Sequence, residues 1–186
     1  MGWHGARLSF VALFLVALFR AKTVNLSELA TVWGTNAEEA SDYKRMQRFF
    51  KAFDVNIDKI AKMVMSIAGI PQPWVLSLDR TNWSFGTTHF NILMLCWGIE
   101  TLFGALKTRG FCLESTHFTD KERLSKLLAL LAIAFVWAMK AGIWRHSQKP
   151  IRVIKAHGRR ARSLFRYGFD LLRRFFIAPP LSLLES

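Results

Sequence analysis

Two strongly apolar runs dominate the hydropathy pattern. One is Leu8–Phe19, between Arg7 and Arg20, and the other is Leu127–Met139, between Lys126 and Lys140. Both fall short of the about 20 residues that a membrane-crossing helix needs, so the pattern predicts two buried core helices. Around them the apolar positions recur at helical spacing. Asn25-Leu26-Ser27-Glu28 reads as a capped helix start. Thr35 or Asn36 is placed to cap a helix from Ala37 to about Phe53, with Tyr43, Met46, Phe49, Phe50 and Phe53 on one face and Lys44, Arg45 and Arg48 on others. Ile57–Ala68 reads as a further helix, stopped by Gly69 and Pro71.

The period changes after Pro71. Pro73–Asp79 is short, β-prone and bounded by proline, and reads as a strand ending in a carboxylate. Arg80–Gly86 reads as a turn and Thr88–Leu95 as a second, antiparallel strand. Helical spacing returns at Trp97, with Ile99, Leu102, Phe103 and Leu106 on one face, and ends at Gly110. Thr119-Asp120-Lys121-Glu122 offers a capping box with Thr119 at the cap, opening a long helix to Met139 or Gly142. Leu164, Phe165, Gly168, Leu171 and Leu172 give a last helix one apolar side, and Pro179-Pro180 ends regular structure.

Charge sharpens this picture. Lys and Arg total 26 against 13 Asp and Glu, a net charge of +13, while 52% of residues are hydrophobic. The balance is that of a globular chain with an anionic partner, either nucleic acid or an acidic membrane surface. The excess is concentrated between Arg145 and Arg174, where Asp170 is the only acid. This segment suits a solvated charge run, a membrane-surface helix or a nucleic-acid patch, and for the last Arg159, Arg160 and Arg162 are the candidates for DNA phosphates. Two cysteines, Cys96 and Cys112, exclude a disulfide scaffold and read as small buried hydrophobes, and the five histidines lack metal-ligand spacing. Asp79 suits either a metal ligand at a strand end or a turn-initiating residue. Glu100 and Lys107, two helical turns apart, leave one helix face together.

Several blocks taken together resemble DDE-type bacterial transposases of the insertion-sequence-four group. Leu76–Trp83 (LSLDRTNW) resembles the strand that carries the family's first catalytic Asp, and Trp97–Phe111 (WGIETLFGALKTRGF) resembles the helix that carries its catalytic Glu. Glu100 and Lys107 match the end of the family's Tyr-x-x-Arg-x-x-x-Glu-x(6)-Lys signature, although Leu93 and Cys96 stand where its Tyr and Arg belong. Lys44–Phe50, Thr116–Asp120 and Gly142–His146 resemble the family's N- and C-terminal parts, in family order.

The resemblance implies an α+β, predominantly helical chain holding a remnant of a ribonuclease-H-like core. Its helical, DNA-binding-like N-terminal region is 1–72, its truncated ribonuclease-H-like catalytic part 73–144 and its basic C-terminal tail 145–186. It implies Asp79 and Glu100 as catalytic and metal ligands for Mg2+, with Lys107, Arg109 and Arg80 beside the DNA. It also implies DNA as partner, in the form of the element's terminal inverted repeats. Full-length transposase is a further partner, and the location is cytoplasmic, at the nucleoid. Only twenty residues separate Asp79 from Glu100, with no Asp among them, where the family holds its second catalytic Asp. The chain therefore reads as an internally deleted transposase, with a junction near residue 95, that keeps DNA binding and lacks strand transfer. A two-stranded remnant is a poor core, so collapse into a mostly helical bundle around one hairpin is expected, centred on Leu127–Met139. The alternative is a small basic membrane-associated protein built on the two apolar runs.

Overall fold

The fold is predominantly helical, with an antiparallel hairpin inserted half-way along the chain. A computed structural model describes residues 4–69, 77–85, 88–96, 104–106, 110–154 and 158–178, with backbone alone over 77–85 and 88–96. In chain order the elements are α1 (Gly5–Ala21), α2 (Leu26–Thr31), α3 (Glu39–Ala52), α4 (Ile57–Ala68), β1 (Ser77–Phe85), β2 (Thr88–Cys96), α5 (Lys121–Gln148), β3 (Val153–Ile154), β4 (Arg159–Arg160) and α6 (Leu164–Ile177).

Both apolar runs are core helices, and their burial explains why the sequence contains them. In α1, Phe14, Ala17, Leu18 and Phe19 are fully buried. Its first half packs Phe10 and Phe14 against Trp33, Phe49 and Phe50 of α3 and the loop before it. Its second half packs Phe19 against Phe111, Trp137, Phe169 and Phe176. One helix thus joins two aromatic clusters. Each buried ring contributes about 1.5–3 kcal/mol relative to exposure. In α5, Leu127, Leu130, Leu131, Ala134 and Ala138 are buried among α1, α3, α4 and α6.

The α5–α6 contact is set by two glycines. A Cβ on Gly168 would overlap the Ala138 carbonyl oxygen, and one on Gly142 would overlap the Leu164 carbonyl oxygen. The helices meet backbone to backbone there, which no larger residue allows.

Helix ends follow side-chain chemistry. Asn25, Asn56, Asp120 and Ser163 each accept a hydrogen bond from a first-turn amide of the helix they precede. Gly69 closes α4 in the left-handed conformation, φ 62°, with its N–H on the Met65 and Ser66 carbonyls.

Five expectations need correction. The cap of α5 is Asp120, not Thr119, because the Asp120 carboxylate reaches the Arg123 amide at 2.9 Å. Helix α3 starts at Glu39, and neither Thr35 nor Asn36 caps it. Thr35 instead donates its hydroxyl proton to Asp42, at 2.6 Å. Helix α5 continues to Gln148, beyond Met139 and Gly142, because its polar end leans on the segment that follows it. Residues 80–85 are strand rather than turn. β1 pairs with β2 from Ser77–Cys96 to Phe85–Thr88, which puts Asp79 at the third strand position instead of the end. Pro71, Pro73–Leu76 and Pro179-Pro180 lie outside the described residues, as does most of the Trp97–Gly110 helix. Cys112 is half-buried at φ 48°, less enclosed than expected.

Candidate nucleic-acid interface

Helix α3 buries one face and exposes another. Met46, Phe49 and Phe50 turn inward, while Lys44, Gln47, Arg48 and Lys51 recur at three and four residues on the outside. The Lys126 ammonium group donates to the Phe50 carbonyl at 3.2 Å, tying the end of α3 to the start of α5. Phe50 also meets Phe118 edge-on at 5.0 Å. These contacts bring Arg123, in the first turn of α5, beside the exposed face of α3. The result is a groove of about 550 Å³ lined by Ser41, Lys44, Gln47, Arg48, Lys51 and Arg123.

Four cations and two neutral hydrogen-bonding side chains line this groove, and no carboxylate does. Asp42, next to Ser41 in sequence, is buried and bonded to Thr35, so its charge is turned away from the groove. Glu38, Glu39 and Glu122 are exposed at the helix starts, where carboxylates complement the positive helix ends. A polyanion laid in the groove meets uncompensated positive charge with amide and hydroxyl donors beside it. Phosphate oxygens take that chemistry, and a duplex supplies them at regular spacing.

A second basic surface stands at the far end of α5. The strands β3 and β4 form a small hairpin, with Val153 opposite Arg160 and Ile154 opposite Arg159. Gly158, at φ 65°, donates its N–H to the Ile154 carbonyl. Arg152, Arg159 and Arg160 are exposed. The hairpin is anchored to α5 by the Ile151 amide, which donates to His146 Nδ1 at 2.9 Å. Nearby, the Arg145 guanidinium lies over the Tyr167 ring at 4.5 Å, and the Tyr167 hydroxyl donates to the Lys149 carbonyl.

The positions singled out in the sequence fare differently. Arg159 and Arg160 share the exposed hairpin. Arg162 pairs with Asp170 at 3.3 Å, and Asp170 also holds Arg166 at 3.1 Å, so Arg162 helps fix the start of α6. Asp79 lies in β1 opposite Met94 and Arg80 opposite Leu93, and their side chains are outside the described set. Glu100, Lys107 and Arg109 lie outside the described residues. Among the described residues no three His, Cys, Asp or Glu side chains gather into a metal-holding group.

No protein-family model, curated protein or solved structure matches the chain.

None of the four groove cations, Lys44, Arg48, Lys51 and Arg123, is among the binding candidates that the sequence offers. The signal for Lys51 is in the sequence: Lys44, Gln47, Arg48 and Lys51 repeat the apolar spacing of α3 on the opposite face. Arg123 has no local signal, because only tertiary packing carries it to α3.

Proposed function

We propose that the chain is a DNA-binding protein of the DDE transposase type, internally shortened, whose grip on DNA persists without the full catalytic set. The observation that carries this reading is the groove between α3 and α5. It has four cations, no lining carboxylate, and a buried acid where an exposed one would have weakened it. The exposed arginine hairpin adds a second patch of the same sign. The β1–β2 hairpin carrying Asp79 is read as what remains of a ribonuclease-H-like sheet.

Cleavage of a phosphodiester by such a core draws on Mg2+ held by three carboxylates, and the matched positions supply two, Asp79 and Glu100. The donor set does not fit the metal chemistry of the family, and this chain's own contribution is binding. Each phosphate neutralised by a Lys or Arg releases counterions, so the association weakens steeply with salt. In this reading the terminal repeats of the element are the DNA bound, the nucleoid is the location, and full-length transposase is a partner with which the chain competes for those repeats.

A gel-shift titration against terminal-repeat and unrelated duplexes, from 50 to 200 mM salt, tests the reading. Retention of repeat DNA at the higher salt, with no Mg2+-dependent nicking, is expected. Absence of any complex at 50 mM would overturn the binding assignment, and robust nicking would overturn the loss of chemistry.

One observation favours a membrane-associated protein instead: α5 is long and apolar enough to cross a bilayer. Half of that apolar stretch is buried within the protein, against the neighbouring helices. Recovery of the chain in an alkaline-washed membrane pellet would favour this second reading.

A further inference from the structure

Helix α5 joins the two basic surfaces, and its geometry fixes the distance between them. Arg123 stands in its first turn and Arg145 in its last. At about 1.5 Å per residue the rise between them is about 33 Å, and at about 100° per residue they leave the helix within about 40° of one another. Both side chains are half-buried, held where the groove and the hairpin begin. The cations between them do not share this side. Lys126 is engaged on the Phe50 carbonyl, and Lys140 is turned about 100° away from Arg123. The middle of α5 is apolar and packed by α1, α4 and α6, so the spacer is rigid.

One turn of B-form DNA rises about 34–36 Å. We infer that the α3–α5 groove and the β3–β4 hairpin hold a single duplex at two points one helical turn apart, with α5 as the spacer. The inference rests on the DNA-binding reading and goes beyond it. It sets the footprint at about 10–12 base pairs. It also assigns Lys44, Arg48, Lys51 and Arg123 to one stretch of phosphates and Arg145, Arg152, Arg159 and Arg160 to the next on the same face.

The test uses the full chain and synthetic 20-base-pair duplexes. Methylphosphonates neutralise each backbone except for two charged blocks, centred either about 10 or about 5 base pairs apart, so that the blocks fall on the same or on opposite faces. Fluorescence anisotropy at 50 mM salt is expected to show at least about tenfold tighter binding for the same-face duplex, the gain that comes from engaging both points at once. The Arg159→Gln/Arg160→Gln variant, exchanged at exposed positions, should lose that difference while still binding an unmodified duplex. Equal affinity for the two spacings, with the unmodified duplex still bound, overturns the two-point inference and leaves the DNA-binding reading standing. Failure to bind the unmodified duplex overturns both.

Discussion

Gly142 of α5 and Gly168 of α6 pack backbone against backbone, so closely that neither position has room for a methyl group. The arginine hairpin hangs between these two helices, anchored to the end of α5 and leading into α6. Helix packing at one crossing therefore determines where the exposed arginines of the hairpin are presented.

Gly168→Ala should accordingly be among the most damaging small substitutions in the chain. Overpacking against main chain costs about 3 kcal/mol or more, since backbone cannot rotate away as a side chain can. Urea denaturation should show a lower midpoint or loss of a cooperative transition. An unchanged midpoint would mean that α5 and α6 do not meet as described.

The groove predicts a salt dependence with a definite size. Lys44→Gln, Arg48→Gln and Lys51→Gln combined should lower the slope of log K against log salt by about 2.7, at about 0.9 per lost phosphate contact. These residues are exposed, so the unfolding midpoint should hardly move. Anisotropy titrations between 50 and 300 mM salt measure the slope, and an unaltered slope would remove the groove from the interface.

Helix caps separate two readings of the start of α5. Asp120→Ala should cost about 1 kcal/mol, because the Asp120 carboxylate holds the Arg123 amide. Thr119→Ala, outside that bond and exposed, should fall within about 0.5 kcal/mol of the parent. Thermal or urea melts of the two variants compare them, and the reverse order would restore Thr119 as the cap.

The apolar run of α1 makes a further distinction. Phe14→Ala should destabilise the fold by about 3–5 kcal/mol, because the ring is fully enclosed by Trp33 and Phe50. Leu8→Ala, half exposed at the edge of the same run, should cost far less. If α1 instead lay in lipid, the two variants would differ little in aqueous denaturation.

Much of the helical scaffold was legible because helix formation is announced locally. The apolar faces of α3 and α6, the Asn25 cap and the Gly69 stop all depend on neighbours within a few residues. Misplaced boundaries came from competition between adjacent polar residues. Thr119 and Asp120 both suit a cap, and only the longer reach of one carboxylate decides between them. The turn formers within Arg80–Gly86 favour a strand end at Asp79, yet pairing with β2 across the register to Phe85 overrides that preference. The β3–β4 hairpin leaves no pattern in the sequence, because two-residue strands carry no periodicity. The groove was half visible: the cations of α3 could be read along one helix, while Arg123 joins them only through the Lys126 and Phe50 contacts.

The Arg20 guanidinium donates to the Phe176 carbonyl, and Phe19 packs on Phe169 and Phe176, so α1 finds half of its partners at the opposite end of the chain. In the order of synthesis α1 precedes α6, so the apolar surface of α1 stays uncovered until those partners are made. Such long-range closure slows folding and keeps an apolar face open for longer on the way to the folded state.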